Sequence, residues 1–147
     1  MKDIEADTVH SEFKTDNNKL SIWAINNDDD FEDAVIALGS NCSHIVTMQL
    51  LQISEEDLKN MSIETEEGNT PTNEINQKHR NITDLNFESL GELITVMIRA
   101  IGNDKTIVMT KSKVKELLKN AYFSGKINME LVSDSLREEI MKIVQNE

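Results

Sequence analysis

One cysteine, one proline and five glycines in 147 residues leave little of the chemistry that staples or punctuates a small fold. A lone Cys42 excludes an internal disulfide framework and fits a reduced compartment. Scarce Pro and Gly argue against a sandwich or barrel built from many tight turns. Aromatic residues make up 4% of the chain, so a core has to come mainly from Ile, Leu, Val and the seven Met. No apolar run approaches the roughly 18–20 residues that cross a bilayer as a helix. The N-terminal string Met1-Lys2-Asp3-Ile4-Glu5 has no apolar centre of the signal-peptide kind. These absences give the expectation of a cytoplasmic, water-soluble chain with no membrane contact. There is also no G-x-S-x-G, no Gly-rich phosphate loop and no dinucleotide fingerprint, so neither an enzyme nor a cofactor is expected.

What the chain has is acid, and it is unevenly placed. Residues 1–75 carry 17 Asp/Glu and 4 Lys/Arg, a net charge of −13, whereas residues 76–147 carry 10 acids and 11 bases, a net of +1. Folding does not require so lopsided a field. At a distance it repels nucleic acid and anionic membrane and attracts basic surfaces.

The hydrophobic pattern predicts an α/β or α+β chain: one small layered domain with a three- to four-stranded sheet, about five helices and a C-terminal helix hairpin. Residues 1–18 read as a partly ordered arm and 19–147 as a single globular domain. Leu20 to Ile25 alternates as a strand. Phe31, Ala34, Val35 and Leu38 have helical spacing, with Gly39 as the expected stop. Residues 44–53 form the most apolar extended stretch and predict a central strand. Ser54 heads a short helix, residues 62–66 predict an edge strand, and Thr70-Pro71 predicts a helix start. The segment from there to Arg80 is too polar to bury much. Phe87, Leu90, Ile94, Met97 and Ile101 predict a helix, well buried because Leu93 and Ile98 widen its stripe. A last strand at 105–110, a helix at 112–123 and a final helix opening at Asn128 complete the chain.

The acids fall at helix starts and turns: Asp28, Asp29, Asp30, Glu32 and Asp33, then Glu55 and Glu56, then Glu64, Glu66 and Glu67. With the first three strands adjacent, they concentrate around one end or edge of a sheet. The first group fails as a calcium loop. Counted from Asn26, the sixth position is Phe31 where glycine is needed and the twelfth is Ala37 where an acid is needed. Asp57-Leu58-Lys59 has the local spacing of a carboxylate-metal nuclease, but it falls on a helix, and such pairs arise by coincidence in so acidic a chain. His10, His44 and His79 have no partner at ligand spacing, so no metal site is expected. Cys42 has His44 as its only local base and reads as an inert thiol. Lys111, Lys113, Lys115 and Lys119, with Lys126, edge the helix at 112–123. They lack Arg and aromatic companions for base contact, so direct nucleic-acid binding is not expected.

The leading expectation is a non-enzymatic acidic binding protein that inhibits a basic partner, most concretely an immunity protein neutralising a nuclease toxin. In that reading the ten acids at 28–33, 55–56 and 64–67 meet the partner. One alternative is a small regulatory or nucleic-acid-associated module using the C-terminal helix hairpin. Another is a metal-dependent hydrolase using the 28–33 cluster.

Overall fold

The computed structural model describes residues 20–61, 63–72 and 74–145. The arm expected at 1–18 lies outside them. Among the described residues the chain is α+β, with five α-helices and two small antiparallel sheets. In chain order these are β1 (Leu20–Trp23), α1 (Asp28–Ser40), β2 (Met48–Leu51), α2 (Glu55–Lys59) and β3 (Glu64–Glu67). A 3₁₀ helix (Glu74–Lys78), β4 (His79–Thr83), α3 (Phe87–Gly102), β5 (Thr106–Met109), α4 (Lys111–Phe123) and α5 (Asp134–Gln145) follow. One sheet has the order β1-β4-β3 and the other pairs β2 with β5. The chain gathers into two compact units. Of the described residues, unit one comprises 20–22, those within Gln49–Glu66, and Asn81–Ile107; unit two comprises Trp23–Met48, those within Glu67–Arg80, and 108–145. Each boundary falls inside a strand.

Unit one is built on the apolar face of the β1-β4-β3 sheet. Met61, Ile82, Leu85 and Leu93 form its buried cluster, and Leu20, Ile22, Ile53, Leu58, Ile63, Leu90, Val96 and Met97 pack against it. The alternation expected for β1 therefore holds for Leu20 and Ile22. Asn86 opens α3 with a reciprocal cap: Ser89 N donates to Asn86 Oδ1 at 2.9 Å, and Asn86 N donates to Ser89 Oγ at 3.0 Å. The helix ends in a Schellman motif. Lys105 N reaches Ala100 O and Asp104 N reaches Ile101 O, both at 3.1 Å, while Asp104 takes the left-handed φ of 55° usually given to glycine. The expectation of a well-buried α3 is corrected. Only Ser89 and Leu93 are buried on it, Ile94 and Ile98 are half-buried, and Phe87 is 95% exposed. The apolar stripe is wider than the face this small core covers.

Unit two is helical. Val35, Ala37, Val114, Leu118, Leu136 and Ile140 are fully buried or nearly so, α1 packs on α4, and α4 packs on α5. Gly39 does not stop α1, which runs on to Ser40 with Asn41 as its C-cap. A Cβ at Gly39 would stand 3.4–3.5 Å from Met48 Cε, Leu118 Cδ2 and Val114 Cγ1, ordinary contact distances, so the packing there has room for a methyl group. After α4, Lys126 N bonds to Ala121 O at 2.9 Å and Gly125 N to Tyr122 O at 3.1 Å. Gly125 has φ 72°, a conformation that costs glycine least.

Four further expectations are corrected. Only Met48–Leu51 of the 44–53 stretch is a strand, and it belongs to the two-stranded sheet. The central strand is β4, within the segment read as too polar to bury. Ile82 is its one aliphatic residue and His79 its other buried position, so period-two hydrophobicity is invisible there. Thr70-Pro71 starts no α-helix. Asn76 instead ties the turn, accepting from Thr70 N at 2.9 Å and donating to Thr72 O at 2.8 Å, and Thr72 bridges Ile127. The last helix starts at Asp134, because Arg137 takes the preceding carbonyls of Met129 and Val132 at 2.8 and 2.9 Å, while Asn128 turns back on Glu130 N. The helices α4 and α5 do pack together, across a longer link than expected.

Leu93→Ala and Ile140→Ala should each cost about 2–5 kcal/mol, the range for a fully packed site, and Ile94→Ala clearly less. Urea midpoints that rank Ile94→Ala with the other two would refute this core. Gly39→Ala should be neutral or stabilising by up to about 1 kcal/mol, since its Cβ meets only ordinary contacts within a helix.

Candidate functional site

The acids at 28–33 owe their positions to the start of α1. Asn27 is the N-cap, and its Oδ1 accepts from Asp30 N at 2.9 Å. Asp28, Asp29 and Asp30 fill the first turn, where unpaired N–H groups favour negative charge. From there the side chains diverge. Asp28, Asp29 and Glu32 are exposed. Asp30 turns inward and is 3% exposed. One of its oxygens accepts from Asn26 N at 2.9 Å and Asn26 Nδ2 at 3.2 Å, and the other takes the Lys78 ammonium. The Lys78 pair, reinforced by the Asn26 N–H, holds the Asp30 carboxyl below its usual range against the opposing effect of burial. Asp33 pairs with Lys126 at 2.9 Å. That lysine directly follows the left-handed Gly125, so the turn ending α4 brings it to α1.

In unit one, Ser54 caps α2, accepting from Asp57 N at 3.1 Å and donating to Asp57 Oδ2 at 2.6 Å, as its position predicts. Glu55 pairs with Lys59 at 2.7 Å on the helix surface, and Glu56 is exposed. Glu64, Glu66 and Glu67 lie on β3, an edge strand whose four residues are all exposed. The ten acids thus form two groups. Asp28, Asp29, Asp30, Glu32, Asp33 and Glu67 belong to unit two, and Glu55, Glu56, Glu64 and Glu66 to unit one.

The other candidates have ordinary structural partners. His44 Nδ1 meets Glu139 Oε1 at 2.8 Å, and Ile45 N donates to Glu139 Oε2 at 3.1 Å. Glu139 is thereby held low, first by His44, then by the Ile45 N–H, with Lys111 adding a smaller contribution. Sequence reasoning missed this pair, because a separation of 95 residues leaves no local signal. Cys42 Sγ points at Leu38 O, 3.4 Å away, and burial pushes its thiol up, away from the reactive thiolate. Among the described residues no three His, Cys, Asp or Glu side chains are placed to hold a metal ion. Of the lysines near α4, Lys113 pairs with Glu116 at 3.4 Å and Lys126 with Asp33. A comparison with protein-family models, curated proteins and solved structures finds no match.

Because the folded Asp30 carboxyl titrates below its unfolded value, its contribution to stability is complete above about pH 4 and is lost as pH falls through the folded value. Asp30→Asn should lower the melting temperature at neutral pH. The gap to wild type should narrow in acid, where the native carboxyl is itself neutral. Melting curves that differ equally at neutral pH and at about pH 3 would show that Lys78 is not the source of the effect.

Proposed function

We propose that this chain is a non-enzymatic acidic binding protein that inhibits a basic partner, the concrete form being neutralisation of a nuclease toxin. The observation that carries the reading is the division of labour among the ten acids. Asp30 and Asp33 are drawn out of solvent to Lys78 and Lys126, and the other eight are exposed, Glu55 among them in a surface pair with Lys59. Exposed like charges at the first turn of α1 and along β3 add nothing to packing, and they keep a long-range negative field in water. Such a field steers encounter with a cationic surface and raises association rates by about 10- to 1000-fold.

The same division weighs against the hydrolase alternative. A carboxylate-metal centre needs converging acids, and the two acids of the 28–33 cluster drawn out of solvent are already neutralised by lysines. The nucleic-acid alternative is weakened where two of its lysines are matched by acids of this chain.

The test is comparative capture. Immobilised wild-type chain should retain a basic protein at low salt and release it at high salt, and it should inhibit that protein's own activity. A variant carrying Asp29→Lys, Glu32→Lys and Glu56→Lys should keep the wild-type melting temperature and associate at least about tenfold more slowly. Recovery of nucleic acid, or a protein held equally by both chains, would overturn the reading.

A further inference from the structure

The β1-β4-β3 sheet carries a polar cluster that the acidic surface does not use. Trp23 of β1 and His79 of β4 stack with ring centroids 4.5 Å apart and planes 9° from parallel. His79 is 4% exposed. Trp23 Nε1 and both His79 ring nitrogens are buried, and none meets a hydrogen-bond partner among the described residues. Gly68, just past β3, donates its N–H to His79 O at 3.2 Å. It also supplies the space that the imidazole fills, since a Cβ at Gly68 would overlap the ring. An aromatic ring laid over a cross-strand glycine is a device that sheets use to pin register. The choice of imidazole is the unusual part. Phe would cover the glycine without burying two polar atoms, and buried polar atoms are normally bonded.

A neutral imidazole has one N–H and one lone pair to leave dry. A protonated ring has two N–H donors and a full charge, and among the described residues neither nitrogen meets a hydrogen-bond partner, the Gly68 backbone alone favouring the charged form. Among the described residues no acid is hydrogen-bonded to either ring nitrogen. Just ahead of β4, Lys78 is turned to Asp30, and on β4 Arg80 Nη1 donates to His79 O at 2.8 Å, bringing a second positive charge. Beside Gly68, Glu67 is exposed. The β1 residues Leu20, Ser21, Ile22 and Trp23 carry no titratable group. Burial holds the imidazole below its ordinary value, with the Gly68 backbone opposing and the Arg80 charge adding to the shift. The Trp23 face offers a cation some attraction, but it gives the in-plane N–H groups nothing to bond.

We propose that Trp23, His79 and Gly68 form a proton-operated latch, closed while the imidazole is neutral and opened when it gains a proton. The charged ring has to leave the stack to find water, and this frees the seam between Trp23 and Gly68. The open form takes its proton near the ordinary imidazole value of about 6.5 and the closed form only below it. The latch is therefore fully stabilising above about pH 6.5 and loosens as pH falls.

Trp23 is the only tryptophan, so its fluorescence reads the stack without a label. Titration from about pH 8 to about pH 5 spans the imidazole range. It should give a reversible step with its midpoint below the ordinary value, absent in His79→Phe and retained in His44→Gln. Gly68→Ala should displace the ring and move the midpoint up. The imidazole C–H resonances of the wild-type chain supply a second readout that needs no folded variant at 79. A fluorescence step unchanged in His79→Phe, or a His79 resonance titrating at or above the ordinary value, would overturn the latch.

Discussion

A carboxylate drawn out of water has to be paired, and the pairing of Asp30 sets much of the geometry of unit two. The Asn27 side chain caps the backbone N–H of Asp30, while the Asp30 side chain reaches back to Asn26 and across to Lys78. One residue therefore fixes the direction of α1, closes the turn before it and anchors the last residue of the 3₁₀ helix ahead of β4. The arrangement of charge follows from it. With Asp30 facing inward, helical spacing leaves Asp28, Asp29 and Glu32 facing water, and Asp33 comes within reach of Lys126.

That geometry also explains which parts of the fold were legible in advance. The start of α1, the Ser54 cap and the extents of α3 and α4 rest on local chemistry: a capping side chain, an apolar stripe, a stop. Such signals lie within a few residues of the structure they specify, and the sequence displays them. The central strand β4 had no such signal, because its place in the sheet rests on one isoleucine and on a histidine whose polarity reads as exposure. The 128–133 segment misled in the opposite direction. Met129 and Val132 continue the periodicity of α5, yet the Arg137 guanidinium takes backbone carbonyls that a helix would have used.

The candidate site was legible in composition and not in detail. Position within a charged run did not distinguish Asp29 from Asp30, since the difference is made by Lys78, 48 residues further on. The same holds for Glu139, whose two oxygens secure His44 and Ile45 from the far end of the chain. In a molecule with 27 acids, local sequence says where negative charge lies. Only the tertiary pairing says which carboxylates are structural and which are left exposed.

The interleaving of the two units has a kinetic consequence. Neither is a continuous stretch of chain. Synthesis delivers α1, with its buried face of Ala34, Val35 and Ala37, long before α4 and α5 exist to cover it. The His44 and Ile45 contacts to Glu139 close loops of 95 and 94 residues. Loop entropy grows only logarithmically with length, so the finished structure loses little stability to this arrangement. The search for it is lengthened, because distant contacts reward the chain only after closure. Unit two thus assembles only once α5 has been made, and until then the apolar face of α1 lacks the helices that cover it.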